Sequence, residues 1–385
     1  MLKKDITFIY MDSAEKAAYM PIAKEAEKRG YKVTITDDKF KKCEIGFYCQ
    51  HVNFPQYSNF SVIMLHDIIQ QYGGWPDIWF REPWNKYDIG ILPSDQWVKN
   101  WDKCSNFHYT NPRKAMYKIG WPKADVIAEL RENTYREDFY KKHGLDLNKK
   151  TVLYAPAWEN DSKQDDFVKA MQKLDVNILI KQADWNKELY PQQVKNIAEM
   201  YELHKDVKGV TILPPATNIF EAILVSDILV SEESSTMCEA IMMGIPAVSV
   251  SDWLIPDTTP SRLPKCDYDF VFMTKKDKLS DFVSNIIKDY NNYKKQAEEY
   301  SKVNFANIGK TSAMIMDIID DYVYNKPVRY EALKPATRTR VPIKRALTRL
   351  NIILRSEIYY NYRVRFPLVN ALFAVRSKIK KVLGR

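Results

Sequence analysis

Glycine-rich phosphate loops are missing from this chain. Its eleven glycines are spread over 385 residues, and neither GxxxxGKS/T nor GxGxxG occurs, which removes support for P-loop and dinucleotide-binding readings. The GxSxG turn of serine hydrolases is absent as well. The cysteines, Cys43, Cys49, Cys104, Cys238 and Cys266, are odd in number and form no CxxC pair. Neither a disulfide framework nor a zinc site is therefore indicated, and a reducing, cytoplasmic setting is expected. No stretch reaches the 18 or more uncharged apolar residues of a membrane-spanning helix, so a soluble or peripheral protein is expected. The first ten residues, MLKKDITFIY, have too short an apolar run for a secretory signal and read as an opening β-strand. No motif demands a metal or an organic cofactor.

What is present is enough apolar material for two cores: 45% hydrophobic and 13% aromatic residues, in a chain longer than single domains usually grow. Charge is unevenly placed. Residues 334–385 hold fourteen Lys or Arg against one acid, Glu357, a net of +13 within a chain whose total is +9. The preceding 333 residues, with 44 Lys or Arg and 48 Asp or Glu, are net −4. A body of that sign is not built to grip nucleic acid.

Short apolar runs alternate with polar helical stretches. Strands are expected at 6–10, 31–36, 44–49, 61–65 and 88–92, with a helix from Ala14 to Arg29 stopped by Gly30. After a charged helix over 124–143 and a polar linker at 144–150, a second series is expected at 151–154, 177–180, 210–213, 227–230, 247–250 and 270–272. Two successive α/β halves follow, with ligands expected beyond the carboxyl ends of the strands, in a cleft between the halves.

The segment SDILVSEESSTMCEAIMMGIP, Ser226 to Pro246, reads as a buried strand, a polar turn and a helix closed by Gly244. Hydroxyls of Ser234 and Ser235, with helix amides after Glu233, could hold a diphosphate, and Glu239, one turn on, could accept ribose hydroxyls. An N-capped helix in an ordinary βαβ unit explains the same residues. His66 follows directly on a strand, with Asp67 beside it, and suits a general base that deprotonates a hydroxyl, although a lone histidine is often structural. Pro156 ends a strand, and Trp158 in the loop beyond it could stack on a base or simply fill a core. Lys181, again at a strand end, could neutralise a diphosphate or stand in solvent.

Read together, the segments LHD (65–67), YDIGILPSDQW (87–97), YKIGWPKADVI (117–127), TVLYAPAWEN (151–160) and SDILVSEESSTMCEA (226–240) resemble the CDP-glycerol glycerophosphotransferases. These are the enzymes of teichoic-acid and capsule synthesis that pass an alditol phosphate from a CDP-alditol to a polymer hydroxyl. The resemblance spans about residues 61–260 and implies a GT-B-like α/β fold. It implies two Rossmann-like domains facing a central cleft: residues 1–148 on the acceptor side, 149–330 for the nucleotide donor, and 331–385 as a basic amphipathic helical tail. His66 matches the family's proposed base in a WHGT motif, and Ser234 and Ser235 match its serine pair near the diphosphate. Glu239 stands where the family has an acid, while Gly120, Pro122, Lys123 and Asp125 match GYPRND.

The departures are specific. HGT is here His66-Asp67-Ile68, TDYSS is Ser231-Glu232-Glu233-Ser234-Ser235, and Lys181-Gln182-Ala183-Asp184 stands in place of a KLHP histidine. A GT-B glycosyltransferase using a nucleotide sugar for surface polysaccharide remains an alternative, as does a catalytically inert polymer-binding relative. In the tail, apolar residues 343, 347, 350 and 354 share a helical face flanked by Lys344, Arg345, Arg349 and Arg355, the pattern of a helix drawn to an anionic membrane surface. Packing on the body or contact with nucleic acid are the competing explanations. With the resemblance, this tail implies a peripheral bacterial enzyme at the cytoplasmic face of the membrane, acting on a lipid-linked polymer.

Overall fold

The computed structural model describes residues 2–11, 13–49, 53–65, 68, 84–105, 111–188, 190–253 and 271–334, and ten positions between 347 and 375. His66, Asp67 and most of the basic tail lie outside the described residues. The described chain forms two α/β units.

The first unit starts with β1 (Asp5–Ile9), α1 (Ser13–Lys28) and β2 (Lys32–Thr36). Gly30 ends α1 at φ +78°, while the amides of Gly30 and Tyr31 turn back to the carbonyls of Glu27 and Ala26. A left-handed residue at that position is what glycine permits at least cost. Next come β3 (Cys43–Tyr48), β4 (Ser58–Ile63), β5 (Ile89–Leu92), α2 (Asp95–Ser105) and β6 (Ala115–Lys118). All pair in parallel, in the order β2-β1-β3-β4-β5-β6. Strand β6 went unexpected because only Met116 and Tyr117 of its four residues are fully buried.

The second unit runs from Ala124 to Thr311. The helix expected over 124–143 is two helices, α3 (Val126–Asn133) and α4 (Arg136–His143), with Thr134 and Tyr135 extended between them. The break lets Arg136 at the start of α4 reach Asp227. Then follow β7 (Lys150–Tyr154), α5 (Lys163–Met171), β8 (Val176–Ile180), α6 (Pro191–His204), β9 (Val210–Ile212) and α7 (Ile219–Leu224). The unit ends with β10 (Ile228–Ser231), α8 (Thr236–Met242), β11 (Ala247–Val250), β12 (Phe272–Thr274), α9 (Leu279–Lys288) and α10 (Tyr290–Asn304). Its parallel sheet has the order β12-β11-β10-β7-β8-β9, the doubly wound arrangement in which direction reverses between β7 and β10.

The chain then returns. Helix α11 (Thr311–Val323) buries Ile315, Met316, Ile318, Ile319 and Val323 in the core of the first unit, beside Tyr19, Ile22 and Ala26 of α1. At about 1.5–3 kcal/mol for each fully buried side chain of this size, that face fixes where α11 belongs. Arg29 adds ion pairs to Asp317 (2.8 Å) and Asp320 (2.9 Å). Residues 124–148 therefore go with the second unit and 312–330 with the first, whereas sequence order suggested cuts at 148 and 330. Where the chain enters and leaves the second unit, Asp125 Oδ1 accepts from the amide of Thr311 at 3.0 Å.

Each sheet is anchored by an aspartate one residue before an interior strand. Asp88 accepts from the Ser61 amide (2.9 Å) and from Arg113 (2.9 Å). Asp227 accepts from the Thr151 amide (2.9 Å), Arg136 (2.6 Å) and Lys150 (3.0 Å). Burial pushes the Asp227 carboxyl up, but Arg136, the Thr151 amide and Lys150 outweigh it and hold the group below the ordinary carboxylate range. Since the folded state binds the proton less well than the unfolded chain, the stability Asp227 contributes is present above the ordinary carboxylate pKa. It is lost as pH falls through that value toward the lower folded one. Asp227→Ala should cost about 3 kcal/mol in urea unfolding at neutral pH, and the difference from the unsubstituted protein should shrink as the pH is lowered through about 4.

Candidate nucleotide site

In doubly wound sheets a ligand crevice opens beyond the carboxyl ends of the two strands at which the winding reverses. Here those strands are β7 and β10, paired with Val152 opposite Ile228 and Tyr154 opposite Val230. The loops that follow them are Ala155–Asn160 and Glu232–Ser235, two of the segments singled out in the sequence.

One carboxylate joins these loops. Glu232, fully buried, accepts the amides of Ala157 (2.9 Å) and Trp158 (3.0 Å) through Oε1, and Lys163 Nζ lies 3.5 Å from the same oxygen. Ser231 Oγ donates to Ala155 O (2.8 Å) and to Glu232 Oε2 (2.9 Å), while Thr236 Oγ1 donates to Ala155 O (3.0 Å). Ser249 Oγ, at the end of β11, donates to the Glu232 carbonyl at 2.6 Å. Burying an ion pair is costly unless the remaining lone pairs are filled, and here two amides and a hydroxyl do so.

Ser234 is buried and Ser235 half-buried, both at the rim of this junction. Ser234 Oγ accepts from the Thr236 amide at 3.3 Å, and Ser234 O from the Met237 amide at 3.2 Å. Two of the amides expected to face a diphosphate are thus used within the turn, and α8 is only seven residues long. The hydroxyls, more than a helix terminus, are what this turn offers a ligand. Helix α8 closes as expected at Gly244, φ +74°, with the Ile245 amide returning to Ala240 O. Glu233 is half-buried, and Glu239, on α8, is 1% exposed.

On the β7 side, Pro156 is buried and Trp158 half-buried. Trp158 packs against Trp185 (centroids 4.5 Å) and Tyr190 (5.9 Å), which gives the loops after β7 and β8 a shared aromatic cluster. Trp185 and Tyr190 carried no motif and were missed; their nearness to Trp158 comes from strand pairing. Lys181 is 7% exposed, and its Nζ donates to the carbonyls of Gln182 (3.0 Å) and Pro215 (2.9 Å). It stands in the protein interior, not in solvent.

Sequence reasoning also missed Glu159. It accepts from Tyr154 OH (3.0 Å), Gln182 Nε2 (2.7 Å) and the Gln164 amide (3.0 Å). Burial pushes its carboxyl up, against the lowering effect of those donors. The network holds the loop after β8 to the loop after β7. Of the expected site residues, the second unit brings Pro156, Trp158, Glu233, Ser234, Ser235 and Glu239 to neighbouring elements around β7 and β10. His66 and Asp67 fall outside the described residues.

Two parallel-sheet α/β domains of this kind define a GT-B-like fold. Within it, residues 71–254 match the family model described as CDP-Glycerol:Poly(glycerophosphate) glycerophosphotransferase, so the family resemblance read from the motifs is shown by an independent comparison. The wall teichoic acid polymerase TagF has a similar structure, with a TM-score of 0.59 and 16% identity over 84% of this chain and 90% of that one. MnaA of S. aureus, in complex with UDP, gives 0.60 and 12% over 88% and 100%. The UDP-GlcNAc 2-epimerase from Neisseria meningitidis bound to UDP-GlcNAc gives 0.59 and 13% over 82% and 100%. At such identities these likenesses establish the fold alone. No curated protein matches the chain.

Replacing Glu232 tests the junction. Glu232→Ala removes the acceptor of two amides and the carboxylate facing Lys163 and should cost about 3 kcal/mol or more in chemical unfolding, whereas Glu232→Gln, which keeps an acceptor oxygen, should cost less.

Proposed function

We propose that this protein transfers glycerol phosphate, or a related alditol phosphate, from a CDP-alditol to a hydroxyl of a membrane-linked cell-surface polymer, with release of CMP. The observation that carries the reading is the placement of Ser234 and Ser235 with Pro156 and Trp158 at the winding reversal of the second sheet, inside the segment that matches the family model. In the proposed reaction the acceptor oxygen attacks the phosphorus bearing the alditol. A new P–O bond forms, the bond to the bridging oxygen breaks, and that oxygen leaves on CMP. His66, three positions past the last residue of β4 in the sequence, takes the acceptor proton, with Asp67 next to it in the chain. Ser234 and Ser235 donate to the diphosphate, Trp158 and Pro156 border the base, and Glu239 accepts from the ribose. Lys181 supplies positive charge to the diphosphate by exchanging its two carbonyl partners for phosphate oxygens, and Glu233 takes part through the amides that follow it, since its own carboxylate would repel a phosphate.

The tail is assigned to an anionic lipid surface at the cytoplasmic face of the bacterial membrane. Leu347, Leu350 and Leu354 are helical and 61%, 51% and 54% exposed, which favours a free apolar face over one packed on the body. Leu368, Leu372 and Val375 repeat the spacing and are exposed too. No helix among the described residues is long and apolar enough to cross a membrane, so contact would be interfacial.

CMP release on mixing the protein with CDP-glycerol and a glycerol-phosphate primer is the direct test. Because two structural neighbours are described with UDP or UDP-GlcNAc bound, UDP-sugars form the second arm. Turnover of a UDP-sugar in place of CDP-glycerol would overturn the alditol assignment. His66→Ala should lower kcat by roughly 100-fold or more with little change in donor affinity, and Ser234→Ala with Ser235→Ala should weaken donor binding by about tenfold. Removing residues 341–385 should abolish sedimentation with phosphatidylglycerol vesicles; retained binding would sink the anchor.

A further inference from the structure

The amino end of the first sheet carries a pocket that the transfer reaction does not use. It has a volume of about 640 Å³, within the usual range of small-molecule sites, and its lining includes Lys3, Lys32, Lys41, Lys42, Thr7 and Thr34. Its origin lies in the topology. Ile6 and Phe8 of β1 face the core under α1 and α11, so the alternation of a strand turns Asp5 and Thr7 to the opposite face. Register places Lys32 beside Asp5 and Thr34 beside Thr7. Parallel sheets are normally covered on both faces by crossover helices, yet β2 and β3 are joined by residues 37–42 without one. This end of the face is left polar and open, with Glu44 and Asn59 continuing it across β3 and β4.

Its charges are not balanced. Of the two carboxylates, Asp5 lies 3.6 Å from Lys32, and Glu44 accepts from the Lys3 amide (3.2 Å) and from Asn59 (2.8 Å). Four ammonium groups thus meet two acids, one of which is paired with Lys32, and the other three lysines, Lys3, Lys41 and Lys42, are exposed at the rim. Besides the half-buried Cys43, the rest of the lining is hydroxyls and amides: Thr34 and Tyr57, the exposed Gln56 and Asn59, and Thr7, of which little reaches the surface. Flexible ammoniums suit phosphate as point charges, and a lining of hydroxyls and amides suits a polyol, since both exchange hydrogen bonds in either direction.

We propose that this pocket binds a phosphate ester of a polyol, as a segment of an alditol-phosphate chain, at the end of the sheet opposite the carboxyl ends of its strands. The choice of polyol rests on the transferase reading above; the phosphate chemistry rests on the pocket alone. The test is calorimetric titration of the full-length protein with a short poly(glycerol phosphate), with glycerol 3-phosphate and inorganic phosphate as separate arms, and with CDP-glycerol titrated into every variant. The expected result is oligomer binding that weakens as salt is raised. Lys41→Glu with Lys42→Glu should reduce it by at least about tenfold while CDP-glycerol affinity stays unchanged, and Thr34→Val should weaken it without a change in salt dependence. Binding of inorganic phosphate as tight as that of the oligomer would overturn the polyol assignment. Undiminished oligomer binding in the double charge reversal, or no binding at millimolar oligomer, would overturn the site. Because CDP-glycerol binding is read in the same samples, failure of the pocket and failure of the donor reading give different patterns.

Discussion

Glu232, with Ser231 and Thr236 beside it, ties together two loops that the sheet merely sets side by side. The crevice at a winding reversal exists because the two strands that border it send their connections to opposite faces of the sheet, so nothing in the topology holds the loops after β7 and β10 together. The buried carboxylate supplies that hold by accepting two consecutive amides of the first loop while belonging to the second. Its partner, Lys163, starts the helix that follows the first loop, which brings a third element into the same small cluster. The positions of Ser234, Ser235, Pro156 and Trp158 relative to one another follow from this tie, and a ligand bound there needs little further ordering of the backbone.

Both sheets solve the same problem at the other end in the same way. A strand deep in a parallel sheet begins among backbone amides that need partners out of water. Asp88 and Asp227 meet that need one residue before β5 and β10, each with an arginine from a neighbouring segment to offset the buried charge. The shared Asp-Ile step in YDIGIL and SDILVS is the sequence trace of this arrangement. It is a structural device, and it leaves the opposite, carboxyl ends of the strands available for chemistry.

Much of the scaffold was legible in the sequence because apolar runs in a two-sided sheet have few alternatives. Ile6–Ile9, Val152–Tyr154 and Ile228–Val230 are continuous enough to be buried strands wherever they sit. Strand β6 and the break at Thr134–Tyr135 were not legible, since four residues with two apolar side chains, or two extended residues inside a charged helical pattern, stand out only once their neighbours are in place. The site was read in part. Ser234, Ser235 and Trp158 carried recognisable motifs, whereas Glu159 and Glu232 stood inside those motifs without a role of their own, as a carboxylate in a loop reads as solvated until its donors are seen. Lys181 shows the converse, since a strand-end lysine fits a phosphate partner in sequence and is tied to two carbonyls in the structure.

By itself the sequence determined the α/β class, the run of parallel strands, the family-like motifs and the segregation of positive charge into the last fifty or so residues. These depend on local periodicity and composition, which a linear chain displays directly. The tertiary structure decided that the chain returns to its first sheet through α11, that Glu232 bridges two loops separated by some seventy residues, and that a basic pocket opens where a crossover helix is missing. Each of those depends on which distant segments pair, and pairing is set by the burial of whole faces, a property that no window of sequence contains.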